Sequence, residues 1–291
     1  MISCKVLAVP HYGSEYDAVK FIDAFLSLSH TSDVHLIFGW NGSLNDFPAS
    51  KNYTHIDNVH LIEVSTPGSY AVRNKIIDYA KALNPSYIAF TDSDCKIDQL
   101  YLNKIANIYS GDLLAGKINI TCNDQHNWIF CYEKIFEFDQ DRSVRKGGAV
   151  TANLIVRYDL AEKIGGFRAD LKSGADKMFC QAAIKNGYKL SYRSDIVVEH
   201  PSRETWREIR KKYQRTYCGW YKIFGWYKKN KIYQSAMLLH AMRPPVNGIK
   251  RIFRSDENYF VKYKALIVLV FIRVIRAEQH VRLVLGQDER R

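Results

Sequence analysis

The chain has 291 residues, 47% of them hydrophobic and 25% charged, with a formal net charge of +12 at pH 7. These are the proportions of a soluble globular protein long enough to bury a sizeable core as one large or two modest domains. The cationic excess favours an anionic partner: nucleotide phosphates, a phosphorylated lipid, an anionic membrane or nucleic acid. The cysteines, Cys4, Cys95, Cys122, Cys131, Cys180 and Cys218, form no C-x-x-C pair, so a zinc framework is not expected, and their scatter suits reduced thiols. The chain begins with a strand pattern rather than a secretory leader, so a cytoplasmic or cytoplasmic-face enzyme is expected.

Lys5 to Pro10 reads as a first strand, and Ser14 with Asp17 three residues on reads as the N-cap of a helix whose apolar face is Phe21, Ile22, Phe25 and Leu26. Val34 to Phe38 and Val59 to Val64 are the second and third strands, with the turn Asn41-Gly42-Ser43 between them. Tyr70 to Leu83 reads as a helix leading into the short apolar run Tyr87-Ile88-Ala89-Phe90, a buried strand bounded by Asn84-Pro85-Ser86. Strands alternating with helices predict an α/β fold with a largely parallel sheet.

That buried strand runs straight into Asp92-Ser93-Asp94. In open α/β sheets ligands sit beyond the carboxyl ends of the strands, and on an extended chain residues two apart face one side. Two carboxylates so placed would make a hard oxygen site for Mg²⁺ or Mn²⁺, completed by substrate phosphates. An ordinary polar turn is the alternative.

Further on, Leu100 to Ile108 is a helical pattern, Leu113 to Ile120 a strand, and Asn127 to Phe138 an aromatic helix. Lys146 to Ala149 reads as a flexible turn before the strand Val150 to Arg157. Asp159 to Ile164 and Asp176 to Asn186 are short helices stopped by glycine, and Leu190 to Arg193 and Ile196 to Val198 are two short strands that deliver His200. After about Pro201 bases interleave with aromatics, from Trp206 to Tyr233, and Pro244-Pro245 breaks the chain. Ala265 to Ile272 is continuously apolar but too short to span a bilayer, which takes roughly 20 residues. This tail suits either an anionic membrane interface or plain packing on the catalytic domain.

Several motifs now stand in one order. Pro67 to Asn74, containing Gly68 and Ala71-Val72-Arg73-Asn74, resembles the helix start of the inverting family 2 glycosyltransferases. Phe90 to Cys95 resembles their DxD metal motif, Thr151 to Arg157 with Ile164-Gly165-Gly166-Phe167 their acceptor-side strand and turn, Ser173 to Asp176 the position of their catalytic acid, and Val197 to Pro201 their terminal Val-x-His. The resemblance covers about residues 3 to 220. It implies a GT-A fold, a mainly parallel sheet flanked by helices, with residues 1–203 as catalytic domain (1–95 the nucleotide-binding half, 96–203 the acceptor half) and 204–291 as a basic helical extension.

It also implies a metal-dependent transfer of sugar from a nucleoside-diphosphate donor to a hydroxyl of a glycan or lipid-linked acceptor. Asp94 would bind the divalent metal, Mn²⁺ or Mg²⁺, with His200 and Asp92 beside it. Pro10, Tyr12, Trp40, Arg73, Asp92, Ser93 and Asn153 would contact the nucleotide sugar, and Asp176 would be the base. Asp176 as a mere helix N-cap is the competing reading.

One departure stands out. Family members carry an acid after the second strand, where this chain has Phe38-Gly39-Trp40-Asn41-Gly42-Ser43, so Trp40 is expected to stack on the base instead. The first strand also ends in Pro10-His11-Tyr12, away from the usual pattern. A nucleotidyltransferase would use a similar sheet and paired acids, but its Gly-rich basic loop is missing after the first strand. A nucleic-acid-binding protein would draw only on the basic aromatic tail and leave the paired acids unexplained, so no nucleic-acid partner is expected.

Overall fold

The computed structural model describes residues 4–28 and 33–287. In chain order the strands are β1 (Lys5–His11), β2 (Val34–Trp40), β3 (Val59–Glu63), β4 (Tyr87–Thr91), β5 (Leu113–Thr121), β6 (Asn153–Arg157) and β7 (Leu190–Pro201). The helices are α1 (Glu15–Ser27), α2 (Ser69–Ala80), α3 (Gln99–Ala106), α4 (Trp128–Phe136), α5 (Gln140–Arg145), α6 (Tyr158–Ile164), α7 (Ala175–Lys185), α8 (Trp206–Ile223), α9 (Lys231–Met242), α10 (Val246–Arg254) and α11 (Tyr259–Val284).

The strands form one seven-stranded sheet in the order β3-β2-β1-β4-β6-β5-β7. β3, β2, β1 and β4 run parallel, while β6 is antiparallel to both β4 and β5. The expected mainly parallel α/β sheet is therefore present, with an antiparallel half added beyond β4. β1 is buried along its whole length, as a strand covered on both faces must be. Leu7 and Val9 share a core with Leu36 and Phe38 of β2 and with Phe21, Ile22 and Phe25 of α1. Ser14 caps α1 by accepting the Asp17 N–H, as expected. On β2, Gly39 lies under α2, because a Cβ there would sit 2.3 Å from Val72 Cγ1.

Three elements differ from the sequence reading. Leu190 to Pro201 is a single strand rather than two, because Arg193 and Asp195 pair with each other along its exposed stretch, at 2.8 Å, and Lys104 of α3 joins them at 3.1 Å. The turn before β6 is no loose loop but follows α5, capped by Asp139, and Gln140 staples it by accepting from Val150 N–H and donating to the Val150 and Asn153 carbonyls. β6 itself starts only at Asn153.

The chain divides into two compact units. The first holds the sheet: residues up to Asn119, Phe138–Asp170 and Ala175–His200. The second comprises Ile120–Glu137, Leu171–Gly174 and the chain from Pro201 on, of which 288–291 lie outside the described residues. In that unit α4 packs with the tail helices on one core of Ile129, Tyr132, Ile209, Tyr213, Val268, Ile272 and Ile275. The apolar run from Ala265 lies mid-way along α11 and buries Ala265, Val268, Leu269 and Ile272 at helical spacing, while Val270 and Val274 stay exposed. Among the described residues no helix is long and apolar enough to cross a membrane.

Gly39→Ala is expected to lower stability by about 1–3 kcal/mol, because the new methyl meets a stiff β-branched side chain in a filled interface. A fall in melting temperature checks it, and an unchanged one would mean that α2 can move away from β2 at little cost.

Candidate active site

The carboxyl ends of β1, β2 and β4 meet where three later segments return: the turn after α6, the start of α7 and the end of β7. β4 is fully buried, and at Thr91 its chain leaves the sheet. The next residues do not stay extended. The Cys95 N–H donates to the Asp92 carbonyl at 3.0 Å, closing a turn, so Asp92 and Asp94 take different partners. The expectation of two carboxylates side by side on an extended strand end is thereby corrected.

Asp92 is held by the Arg73 guanidinium in an ion pair. Arg73 is 3% exposed and Asp92 32%, so the cation is withdrawn from solvent while its partner keeps an open edge. Arg73 therefore lies behind Asp92, where a direct nucleotide contact is expected of it from the sequence. Its guanidinium also lies 5.8 Å from the centre of the Tyr70 ring, and the Tyr70 hydroxyl donates to Asp176 Oδ1 at 3.3 Å. A continuous chain of contacts thus runs from Asp92 through Arg73 and Tyr70 to Asp176.

Asp176 is not the N-cap of α7, since the helix begins at Ala175 and the Lys177 N–H donates to Asp176 Oδ1 at 2.9 Å. The carboxyl keeps part of its surface open but is largely surrounded by protein. That desolvation is the dominant influence and raises its pKa above the ordinary aspartate value, against the opposing pull of the Lys177 N–H, the Arg73 charge and the Tyr70 hydroxyl.

On the other side of the turn, Lys96 and Glu199 exchange backbone hydrogen bonds of 2.7 and 3.0 Å in an isolated antiparallel bridge. This bridge brings His200, a hundred residues downstream, to Asp94, with Nε2 3.6 Å from Asp94 Oδ1. The imidazole is buried at 5% exposure and the Phe138 ring packs on it at 4.4 Å, with Phe138 itself in the left-handed region at φ 52. Asp94, Cys95 and His200 bring their ligand atoms within 4.8 Å of one another, a set that does not include Asp92. Burial and the charges of Asp92 and Asp94 push the Cys95 thiol far above its usual pKa, so it stays protonated. The remaining donors, one carboxylate and one imidazole, fit a divalent ion of borderline hardness: two ligands about 2.1 Å from one ion sit roughly 3–3.6 Å apart.

Several expected contacts are placed otherwise. Pro10 is buried within β1, and only Tyr12 emerges, 87% exposed. The Ser93 hydroxyl is spent on His11: Nε2–H donates to the Ser14 carbonyl at 3.1 Å, which leaves Nδ1 to accept from Ser93 at 2.9 Å. Trp40 is 7% exposed and packs against Phe47 at 4.8 Å and His11 at 5.2 Å, so most of its ring is covered. Asn153 is fully buried and donates to the Lys117 and Ile196 carbonyls, bracing β6 beneath the strand ends.

Two amides to which the sequence assigns no contact hold the site together. Asn41 donates to the Val64 and Thr66 carbonyls and accepts from the Gly68 N–H, which fixes the entry to α2. Asn74, next to Arg73, accepts from the Phe167 N–H at 2.7 Å and donates to its carbonyl at 2.8 Å. Gly166 permits that clamp, because a Cβ there would lie 2.5 Å from Asn74 Oδ1 and its φ is +74. Phe167 then packs on Phe90, Tyr70 and Phe179. An Asn whose amide matches a backbone N–H and C=O has no periodic signature, and only its place in the Arg-Asn motif singled it out.

Residues 87–275 match glycosyl transferase family group 2. Glycosyltransferase AglE of Haloferax volcanii is 29% identical over 214 residues, which are 71% of this chain and 69% of AglE. The mannosyltransferase PcManGT from Pyrobaculum calidifontis, solved with GDP-Man and Mn²⁺, superposes with a TM-score of 0.62 over 99% of this chain and 89% of its own, at 15% identity. TarS 1-349 of S. aureus, solved with UDP-GlcNAc, superposes with a TM-score of 0.54 over 93% and 72%, at 17% identity. These structural likenesses show the GT-A fold.

Asn74→Ala is expected to lower stability by about 1–3 kcal/mol, since it leaves the Phe167 N–H and C=O without their partners. Faster hydrogen exchange at the Phe167 amide, with the rest of the sheet protected as before, checks that the loss is at this clamp.

Proposed function

The chain belongs to glycosyl transferase family group 2, and on that premise we propose that it moves a sugar from a nucleoside-diphosphate donor to an acceptor hydroxyl by a single in-line displacement. The observation that carries this reading is the chain of contacts from Asp92 through Arg73 and Tyr70 to Asp176, with the Asp94–His200 pair across the same turn. Relatives of this fold solved with GDP-Man and Mn²⁺ or with UDP-GlcNAc agree with a nucleotide-sugar donor.

In this reading Asp94 and His200 hold a divalent cation, which when bound neutralises charge on the diphosphate. Asp92, braced by Arg73, turns its open carboxylate edge toward the donor. Arg73 is a positioning residue, because it acts through Asp92. Asp176 takes the proton of the acceptor hydroxyl as that oxygen bonds to the anomeric carbon. The bond from that carbon to the diphosphate oxygen breaks in the same step, its electron pair leaves with the diphosphate, and the anomeric centre inverts. Tyr70 and the Lys177 N–H both address Oδ1 and so keep the carboxyl oriented. The raised pKa makes Asp176 a stronger base than a solvated aspartate.

Asp176→Asn is expected to cut kcat by about 10²–10⁴-fold, the range for loss of a general base. Its folded pKa is raised, so ionisation of Asp176 weakens the fold, and that contribution to stability is lost as pH rises through the folded pKa. The uncharged amide removes that loss, so the melting temperature at neutral pH should hold or rise. In the wild type kcat should fall on acidification at a pH above the ordinary aspartate range. Near-normal transfer by the variant, measured as release of nucleoside diphosphate with a matched donor, would remove Asp176 from this role.

A further inference from the structure

A cleft of about 390 Å³ opens at the carboxyl ends of β1 and β2, lined among others by Tyr12, Glu15, Trp40, Asn41 and Asp46. Ligands of open α/β sheets bind at such strand ends. Most of the polar groups around it are already occupied. Glu15 Oε1 accepts from the Ala49 N–H at 2.7 Å, and the Asn41 amide is consumed by Val64, Thr66 and Gly68. The Asp46 carboxylate is exposed and has no partner among the described residues. It is nonetheless held in place, since it closes a short 3₁₀ turn from Leu44 to Asp46 that Ser43 caps and Glu63 anchors by accepting the Leu44 N–H at 2.7 Å. Tyr12 contributes an open phenol ring at 87% exposure.

A carboxylate only accepts hydrogen bonds, and its two oxygens receive two parallel donors best. Among the nucleobases guanine alone presents two adjacent donors on one edge, N1–H and N2–H. Uracil and thymine set one N–H between two carbonyls, so one carboxylate oxygen would face another oxygen. Adenine and cytosine set an amino group beside a bare ring nitrogen, with the same conflict.

Resting on the donor-site reading above, we propose that the nucleotide is guanosine diphosphate, with Asp46 accepting from the guanine N1–H and N2–H and Tyr12 packing on the base. Asp46 then replaces, from a different position in the same loop, the acid that resembling sequences carry where this chain has Trp40. Trp40 is left to support the wall of the cleft against Phe47.

The test is isothermal titration of the full chain, in Mn²⁺, with GDP, UDP, CDP, ADP and dTDP, for the wild type and Asp46→Asn. GDP should bind most tightly, by roughly 10- to 100-fold, the span of one good bidentate base contact. Asp46→Asn should remove most of that preference while leaving the UDP affinity and the melting temperature nearly unchanged, since the side chain is exposed and unpaired. Binding of another nucleotide as tightly as GDP, or an unchanged GDP preference in Asp46→Asn, would overturn the assignment and leave the transferase site standing. No binding of any nucleotide would remove the donor site itself, and the guanine assignment with it. Because the wild-type panel is decisive alone, a variant that failed to fold would not rescue the proposal.

Discussion

The site depends on one ion pair. Arg73 is almost entirely withdrawn from water, and a guanidinium in that position is tolerable only with a charge partner. Asp92 is that partner, and it stands one residue past the end of β4. The pairing ties α2 to the sheet at the point where the chain turns away. It also leaves Asp92 outside the cluster that Asp94, Cys95 and His200 form across the turn. A buried pair of this kind contributes little net stability, but losing either member leaves the other uncompensated. Its value here is geometric.

Around that pair the structure uses backbone closures more than side-chain packing. The Lys96–Glu199 bridge carries His200 to Asp94, and the Asn74 clamp on Phe167 brings the segment before α7 against α2. Asn41 sets the start of α2 by tying the end of β2 to Gly68. The positions of His200 and of the segment before α7 are thus set by hydrogen bonds that engage backbone atoms. Such contacts hold position tightly, and Asp92, Asp94 and Asp176 each keep part of their surface open.

Much of this was legible in the sequence, for physical reasons. A five-residue apolar strand ending in acids is a strong signal because the hydrophobic run and its abrupt stop are local. The α1 cap at Ser14 was equally readable. What failed was inference about direction. An extended chain would put Asp92 and Asp94 on one face, but the Cys95 N–H bonds the Asp92 carbonyl and closes a local turn, the alternative that Asp-Ser-Asp also allows. Trp40 was expected to offer a face to a base, whereas its neighbours Phe47 and His11 cover it, and neither neighbour is implied by the residues around Trp40. α5 leaves no mark in the sequence, because six residues are too few to show an apolar period. The role of α4 in the core of the second unit, far in sequence from the tail it packs with, had no local signal at all.

The central claim is that the end of β4 and the end of β7 together hold one cation through one carboxylate and one imidazole. Pulsed electron paramagnetic resonance of Mn²⁺ bound in the presence of nucleoside diphosphate tests this directly. The account predicts nuclear modulation from a single coordinated imidazole nitrogen, which disappears in His200→Gln while Mn²⁺ binding weakens. Mn²⁺ bound with nucleotide but showing no nitrogen modulation in the wild type would contradict it, and would return the metal to an all-oxygen site around Asp92 and Asp94.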